Sequence, residues 1–268
     1  MRQRFKGYYL KHQKGEHTLC IIIGHANNER FIQVITEKAA WQLPWTSKCC
    51  WGPKGLKVNL AHEDFSLKGQ LSYGSFTPLK YDIMGVFKYI PTECRHGVVS
   101  MNHEINGQLV LNGQVLDFDG GRGYIEMDSG RSFPSDYMWI QANDFKEKIS
   151  IMAAVADIPF AIGSFRGCIC VISYKGREYR LATYCGVQIV SCSKKRLILK
   201  QRRYRLEVYI HGSSGHRLRA PQNGIMCRII EENAVCKADF IFYDRGEKVF
   251  ELHSEHASFE FEAKNKFS

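Results

Sequence analysis

The sequence predicts an all-β protein, and three observations carry that prediction. Apolar and polar residues alternate with a period of two in short runs such as GLKVNL (55–60) and FSLKGQLSYG (65–74). Val, Ile, Tyr, Phe and Thr dominate these runs, and Gly, Asn and Ser punctuate them. Apolar spacing of the helical kind is nearly absent. A strand sends successive side chains to opposite faces, so the pattern describes antiparallel sheets in a barrel or sandwich. At 268 residues the chain suffices for one large β domain or two of about 130 residues.

The elements follow in order. HTLCIIIG (17–24), RFIQVIT (30–36), GLKVNL and FSLKGQLSYG read as strands, followed by a short turn around Tyr81 to Tyr89. Asn106-Gly107 and Asn112-Gly113 predict two tight hairpin turns, since both residue types accept positive φ, and so a meander from Val98 to Asp119. KISIMAAVADIPF (148–160) is the one stretch that also suits a helix. GCICVISYKGREYRLATYCG (167–186) predicts a hairpin turning at Lys175-Gly176. The runs at 195–212, 224–232, 235–246 and 247–263 complete an all-β second half. No repeat between the halves is visible. Gly, Ser and Pro cluster between Arg131 and Asp136, which sets the boundary of two domains, 1–133 and 134–268.

Composition removes several function classes. No run of about 18 apolar residues exists, and the N-terminus lacks the apolar core of a signal peptide, so a cytoplasmic protein is expected. The ten cysteines include no CxxC pair, and Cys20, Cys168, Cys170, Cys185 and Cys236 sit in apolar runs, so free thiols and no metal are expected. A formal charge of +10 suggests nucleic acid, but the densest basic run, SKKRLILKQRRYRLEV (193–208), offers only Tyr204 for stacking bases. It reads better as a hairpin with Leu197 and Leu199 packed inward, and a basic rim also suits transient contact with a membrane surface. No nucleic-acid partner is expected. Ser-His-Asp, P-loop, dinucleotide and HExxH patterns are all missing, and no cofactor is called for.

The most informative stretch is GGRGYIEMDSGRSFPSDYMWIQAN (120–143). Alternation puts Tyr124, Glu126 and Asp128 on one face, and Tyr137, Trp139, Gln141 and Asn143 on another shared face. Such a mixture suits a cavity in which a few polar groups orient an apolar ligand, or a polar ladder at a barrel mouth. His96 and His103, in RHGVVSMNHEI, fall on opposite faces of a regular strand.

These residues carry a resemblance. GGRGYIEMDSGRSFP resembles the signature of the tocopherol cyclase-like family, and FKGYYLK (5–11) and HGVVSMNHEINGQL (96–109) extend the likeness. It implies two consecutive lipocalin-like antiparallel β-barrels packed against each other, with little helix, similar to carotenoid hydratases. It also implies an apolar, prenylated or similar small molecule as partner, and acid-catalysed intramolecular addition of a hydroxyl to an alkene. Met127 and Ser129 stand where the family pattern usually has Lys and Trp, and Tyr8 where it usually has Trp.

In that setting Glu126 and Asp128 are the candidate catalytic pair, since neighbouring carboxyls divide acid and base roles when their surroundings differ. Tyr8, Tyr124, Trp139, Gln141, Asn143, His96 and His103 are the candidate ligand-binding residues, with Tyr184 as a further aromatic of the lining. Two alternatives stay open: the acidic pair as a salt bridge to Arg122 or Arg131, and a carrier or a basic-surface interaction protein in place of a cyclase.

Overall fold

The computed structural model describes residues 4–160, 163–212 and 215–263. Its first sheet contains β1 (Phe5–Lys14), β2 (His17–Ala26), β3 (Glu29–Thr36), β4 (Ala40–Pro44), β5 (Cys49–Gly52), β6 (Gly55–His62), β7 (Phe65–Tyr73), β8 (Cys94–Leu111), β9 (Gln114–Asp117) and β10 (Gly121–Gly130). They run antiparallel in the order β4-β3-β2-β1-β10-β8-β7-β6-β5, with β9 beside β8. The second sheet contains β11 (Tyr137–Ala142), β12 (Ile149–Phe160), β13 (Gly163–Tyr174), β14 (Arg177–Arg180), β15 (Gln188–Ser193), β16 (Arg196–Gln201), β17 (Tyr204–His211), β18 (His216–Gln222), β19 (Ile225–Asp244) and β20 (Glu247–Glu262). Its order is β14-β13-β12-β11-β20-β19-β17-β16-β15, with β18 beside β19. In both sheets the first strand pairs with the last. The architecture therefore repeats where the sequence does not, and the sheets part between Gly130 and Tyr137.

Each sheet curls around its own core, giving two lipocalin-like barrels packed together. Leu10, Ile21, Ile32, Leu43, Leu56, Leu67, Leu109, Leu116 and Ile125 reach one cluster from strands all along the first sheet. Ile140, Ile151, Cys170, Leu197, Leu206, Phe240 and Phe259 do so in the second. Each such side chain contributes about 1.5–3 kcal/mol through burial. A third cluster, built from outward-facing residues, joins the barrels: Tyr9, Cys20, Met101, Tyr124, Trp139, Met152, Val171, Leu218 and Ala234 among them.

Two sequence expectations change. Asn106-Gly107 lies inside β8 and not in a turn. There β8 exchanges β10 for β9 as its neighbour, and the Asn106 side chain accepts from the Gly120 N–H while Asp119 accepts from the Gly107 N–H. Gly107 has φ 121° and lies so close to β7 that a Cβ would meet Gln70 O at 2.4 Å, which is why glycine stands there. Residues 149–160 form strand β12, not a helix. Ile151, Ala153 and Val155 enter the second core while Met152 enters the seam, so both faces are buried and the alternation is hidden. Asn112-Gly113 and Lys175-Gly176 do turn, with φ of 48° and 84°, and 49° and 73°. A short 3-10 turn covers Gly85–Tyr89. All ten cysteines are free. Among the described residues, no helix is long and apolar enough to cross a membrane.

The chain between β7 and β8 forms a strap over the seam. Arg180 of the second barrel donates to the carbonyls of Tyr81 and Asp82 and stacks on the Tyr81 ring at 3.5 Å. The Tyr184 hydroxyl donates to Ile83 O at 2.8 Å, and Glu178 accepts from the Lys80 N–H at 3.0 Å.

Candidate functional site

Strands β10 and β11 place the site between the barrels. In β10, Ile125 points into the first core, so Tyr124, Glu126 and Asp128 point outward into the seam. The β10–β8 ladder slips twice, between Gly123 and Ile125 and again between Ile125 and Glu126. Each slip inserts an extra residue on the β8 side and re-aims the side chains that follow. The result sets His96 directly opposite Asp128. From the second barrel, Met138 and Ile140 fill the core, so Tyr137, Trp139 and Gln141 face the same seam.

His96 is the hub. Its Nδ1 lies 2.9 Å from Asp128 Oδ1, and its Nε2 lies 3.4 Å from Glu126 Oε2. The same Glu126 oxygen accepts from the Tyr124 hydroxyl at 2.6 Å and from the Trp139 indole N–H at 3.2 Å. Burial alone would push the imidazole down, but the charges of Asp128 and Glu126 outweigh it and hold His96 well above its usual range. Burial and the neighbouring Glu126 raise the Tyr124 hydroxyl, which stays a donor. His96, Glu126 and Asp128 bring donor atoms within 4.8 Å of one another, close enough for a metal ion. The two imidazole nitrogens, however, face two different carboxylates, an arrangement that a charged imidazolium satisfies without an ion.

A cavity of about 410 Å³ opens beside this hub. Its walls are apolar: Met84, Phe87 and Ile90 from the strap, and Trp139, Ile158, Phe165 and Ile169 from the second barrel. The ionisable groups His96, Glu126, Asp128 and Glu260 line it as well. Glu260 on β20 accepts from the Tyr137 hydroxyl at 2.5 Å. Burial, with Glu126 and Asp128 nearby, pushes its carboxyl up to about 8.

Five of the residues singled out from sequence thus meet at the cavity: His96, Glu126, Asp128, Tyr137 and Trp139. Tyr124 stands one hydrogen bond behind them. Gln141 and Asn143 share their face but tie the barrels together farther along. Gln141 accepts from the buried Lys11 ammonium at 3.1 Å, and Asn143 donates to Gly123 O at 3.2 Å. Tyr184 holds the strap. Tyr8 and His103 lie elsewhere, on the inner side of the first barrel. Tyr8 packs on Trp51 at 4.7 Å, and His103 packs between Tyr73 and Phe76, each at 4.8 Å. Alternation from Tyr9, which faces the seam, requires the inward turn of Tyr8. Neither arginine beside the acidic pair bridges it: Arg122 donates to the carbonyls of Asn143, Phe145 and Glu147 instead. Glu260 escaped the sequence reading, as did the strap's Met84 and Phe87. The signal for Glu260 is a carboxylate between Phe259 and Phe261 in a strand, but either face of a last strand can be the solvated one.

The family model described as tocopherol cyclase-like matches residues 31–261, and the chain belongs to that family. No curated protein sequence matches it. Among solved structures, CghA with Sch210972 is similar at a TM-score of 0.55 and 10% identity, over 97% of this chain and 89% of that one. Kievitone hydratase from Nectria haematococca is similar at 0.53 and 10% identity, over 97% and 88%. At such identity the likeness concerns the fold.

Proposed function

We propose that this protein binds an apolar small molecule bearing a hydroxyl and an alkene in the cavity between its barrels, and joins the two by acid-catalysed intramolecular addition. The observation that carries the reading is an apolar cavity whose wall holds the buried Glu260 carboxyl beside a hydrogen-bonded acceptor cluster. Environments that push neighbouring titratable groups apart assign acid and base roles. Glu260 gives its proton to one alkene carbon, and the hydroxyl oxygen bonds to the other. The hydroxyl proton leaves toward Asp128 and Glu126, whose charge His96 balances. The aromatic faces of Trp139 and Phe165 stabilise the cationic carbon in passing. Family membership supports the reaction class, and the apolar lining supports the ligand class.

Native mass spectrometry of the purified protein, followed by titration with a prenylated phenol, tests this. Retained apolar ligand, quenching of Trp139 emission and a cyclised product absent with Glu126→Gln are expected. Binding without product makes the protein a carrier, and an empty cavity that leaves Trp139 emission unchanged overturns the reading.

A further inference from the structure

Behind the carboxylate wall lies a second pocket of about 50 Å³. Glu126, Asp128 and Glu260 line both spaces, whereas Glu232 lines only the small one, together with the exposed Arg219 and the half-buried Met226. The small pocket thus lies between the back of the carboxylate wall and residues exposed at the surface.

Glu232 on β19 pairs directly with Glu260 on β20. Opposed residues of an antiparallel pair share a face with Cβ atoms about 4.5–5.5 Å apart, where like charges repel. Glu232 is 2% exposed, and its Oε1 has no hydrogen-bond partner. An ionised, unpaired carboxylate so placed is costly, and a proton removes the cost. Among the described residues no cation pairs with Glu232: Arg219, which lines the same pocket, is exposed and makes no ion pair with it. Tyr9 of β1 and Cys20 of β2 are neutral, as is Tyr137 of β11, and Glu126, Asp128 and Glu262 are acidic. Arg228 of β19 donates to the carbonyls of Pro134 and Ser135 and lies 3.4 Å from Glu262.

We propose that Glu232 and Glu260 hold one proton between them at neutral pH, and that the small pocket is the route by which solvent resupplies that proton to the cavity. The inference rests on the cavity as a site of proton transfer. Water in the small pocket gives a proton to the pair, and Glu260 passes it to the substrate carbon. The hydroxyl proton departs by Asp128, so each turnover leaves the charge of the site unchanged. Glu232 never touches substrate and acts as a positioning residue that sets when Glu260 is loaded. Burial pushes both carboxyls up, which agrees with the geometry.

Infrared spectroscopy of the ligand-free protein, titrated with base, reads this directly. A protonated carboxyl stretch should persist at pH 7 and vanish only well above the ordinary carboxylate range. In Glu232→Gln the last carboxyl ionises beside a neutral partner, so the band should vanish about one pH unit or more lower. Should that variant fail to fold, carbon NMR of glutamate-labelled wild-type protein should show two glutamates titrating in coupled steps. Three results overturn the proposal: no protonated carboxyl at pH 7, an unchanged midpoint in Glu232→Gln, or loss of the band on adding ammonium or calcium at neutral pH, which would make the pocket a cation site. The expected band in a protein that forms no product upholds proton sharing and refutes cyclisation.

Discussion

His96 and His103 lie seven residues apart on one strand, and their surroundings drive them to opposite charge states. His103 sits inside the first barrel among Tyr73 and Phe76, with Nδ1 3.1 Å from Ser100 Oγ. Burial, with His12 nearby, pushes it down to about 3, and burial pushes His12 itself down to about 4. His12 Nε2 lies 2.7 Å from the Tyr73 hydroxyl. His96, in the seam, is held charged between two carboxylates. The barrel interior uses imidazole as a packed ring with one polar edge, whereas the seam uses it as a cation. The cavity that His96 lines lies between the barrels and not inside either core.

The sharpest way to break that contrast is to remove each ring. His96→Phe strands Glu126 and Asp128 without their counter-charge and should cost about 3–5 kcal/mol, partly recovered in acid. His103→Phe keeps the volume, loses one hydrogen bond and should cost about 1 kcal/mol. Urea unfolding of both variants at neutral pH measures the difference, and equal losses would dissolve the distinction.

A second test uses pH. The lowered values of His12 and His103 mean that the unfolded chain binds more protons than the folded one between about 6.5 and 3. Stability must therefore fall as pH drops through that window. The raised His96 works in the other direction: its contribution is complete below about 6.5 and is lost as pH rises through its elevated value. A His12→Phe, His103→Phe double variant should flatten the acid limb of a melting-temperature profile and leave the alkaline limb alone.

Arg180 sharpens the same comparison kinetically. Its bonds to the strap keep Met84 and Phe87 over the cavity. Arg180→Ala should speed ligand dissociation about tenfold, as expected for losing charge-assisted bonds worth about 1.5–3 kcal/mol. Stopped-flow recovery of Trp139 emission reports it. The smallest effect belongs to the basic hairpin, where Lys195, Lys200 and Arg202 are exposed. Reversing all three charges should change stability and ligand affinity by less than about 1 kcal/mol, measured by calorimetry.

Much of the fold is legible in the residues, because a period of two reports a strand whatever its neighbours are. β12 is the exception, since burial on both faces erases the period, and Asn106-Gly107 imitates a turn at a point where a strand changes partners. The acidic face of β10 and the Trp139 face of β11 are legible for the same reason. Alternation tells which residues travel together but not which face a barrel encloses, and so it does not reveal that Tyr8 and His103 turn into the first barrel, away from the seam. Glu260 and Glu232 come from the far end of the chain, and only the pairing of β11 with β20 and of β19 with β20 brings them to the site.

Along β10 and β11, residues that hold a core alternate one by one with residues that face the seam: Ile125 beside Glu126, Ile140 beside Trp139. Substitutions in the second set exchange lining for lining and leave both cores filled. On the proposed ligand reading, preference would change by point substitutions at nearly constant stability. A one-residue insertion in either strand, by contrast, would exchange the two sets and abolish fold and site together.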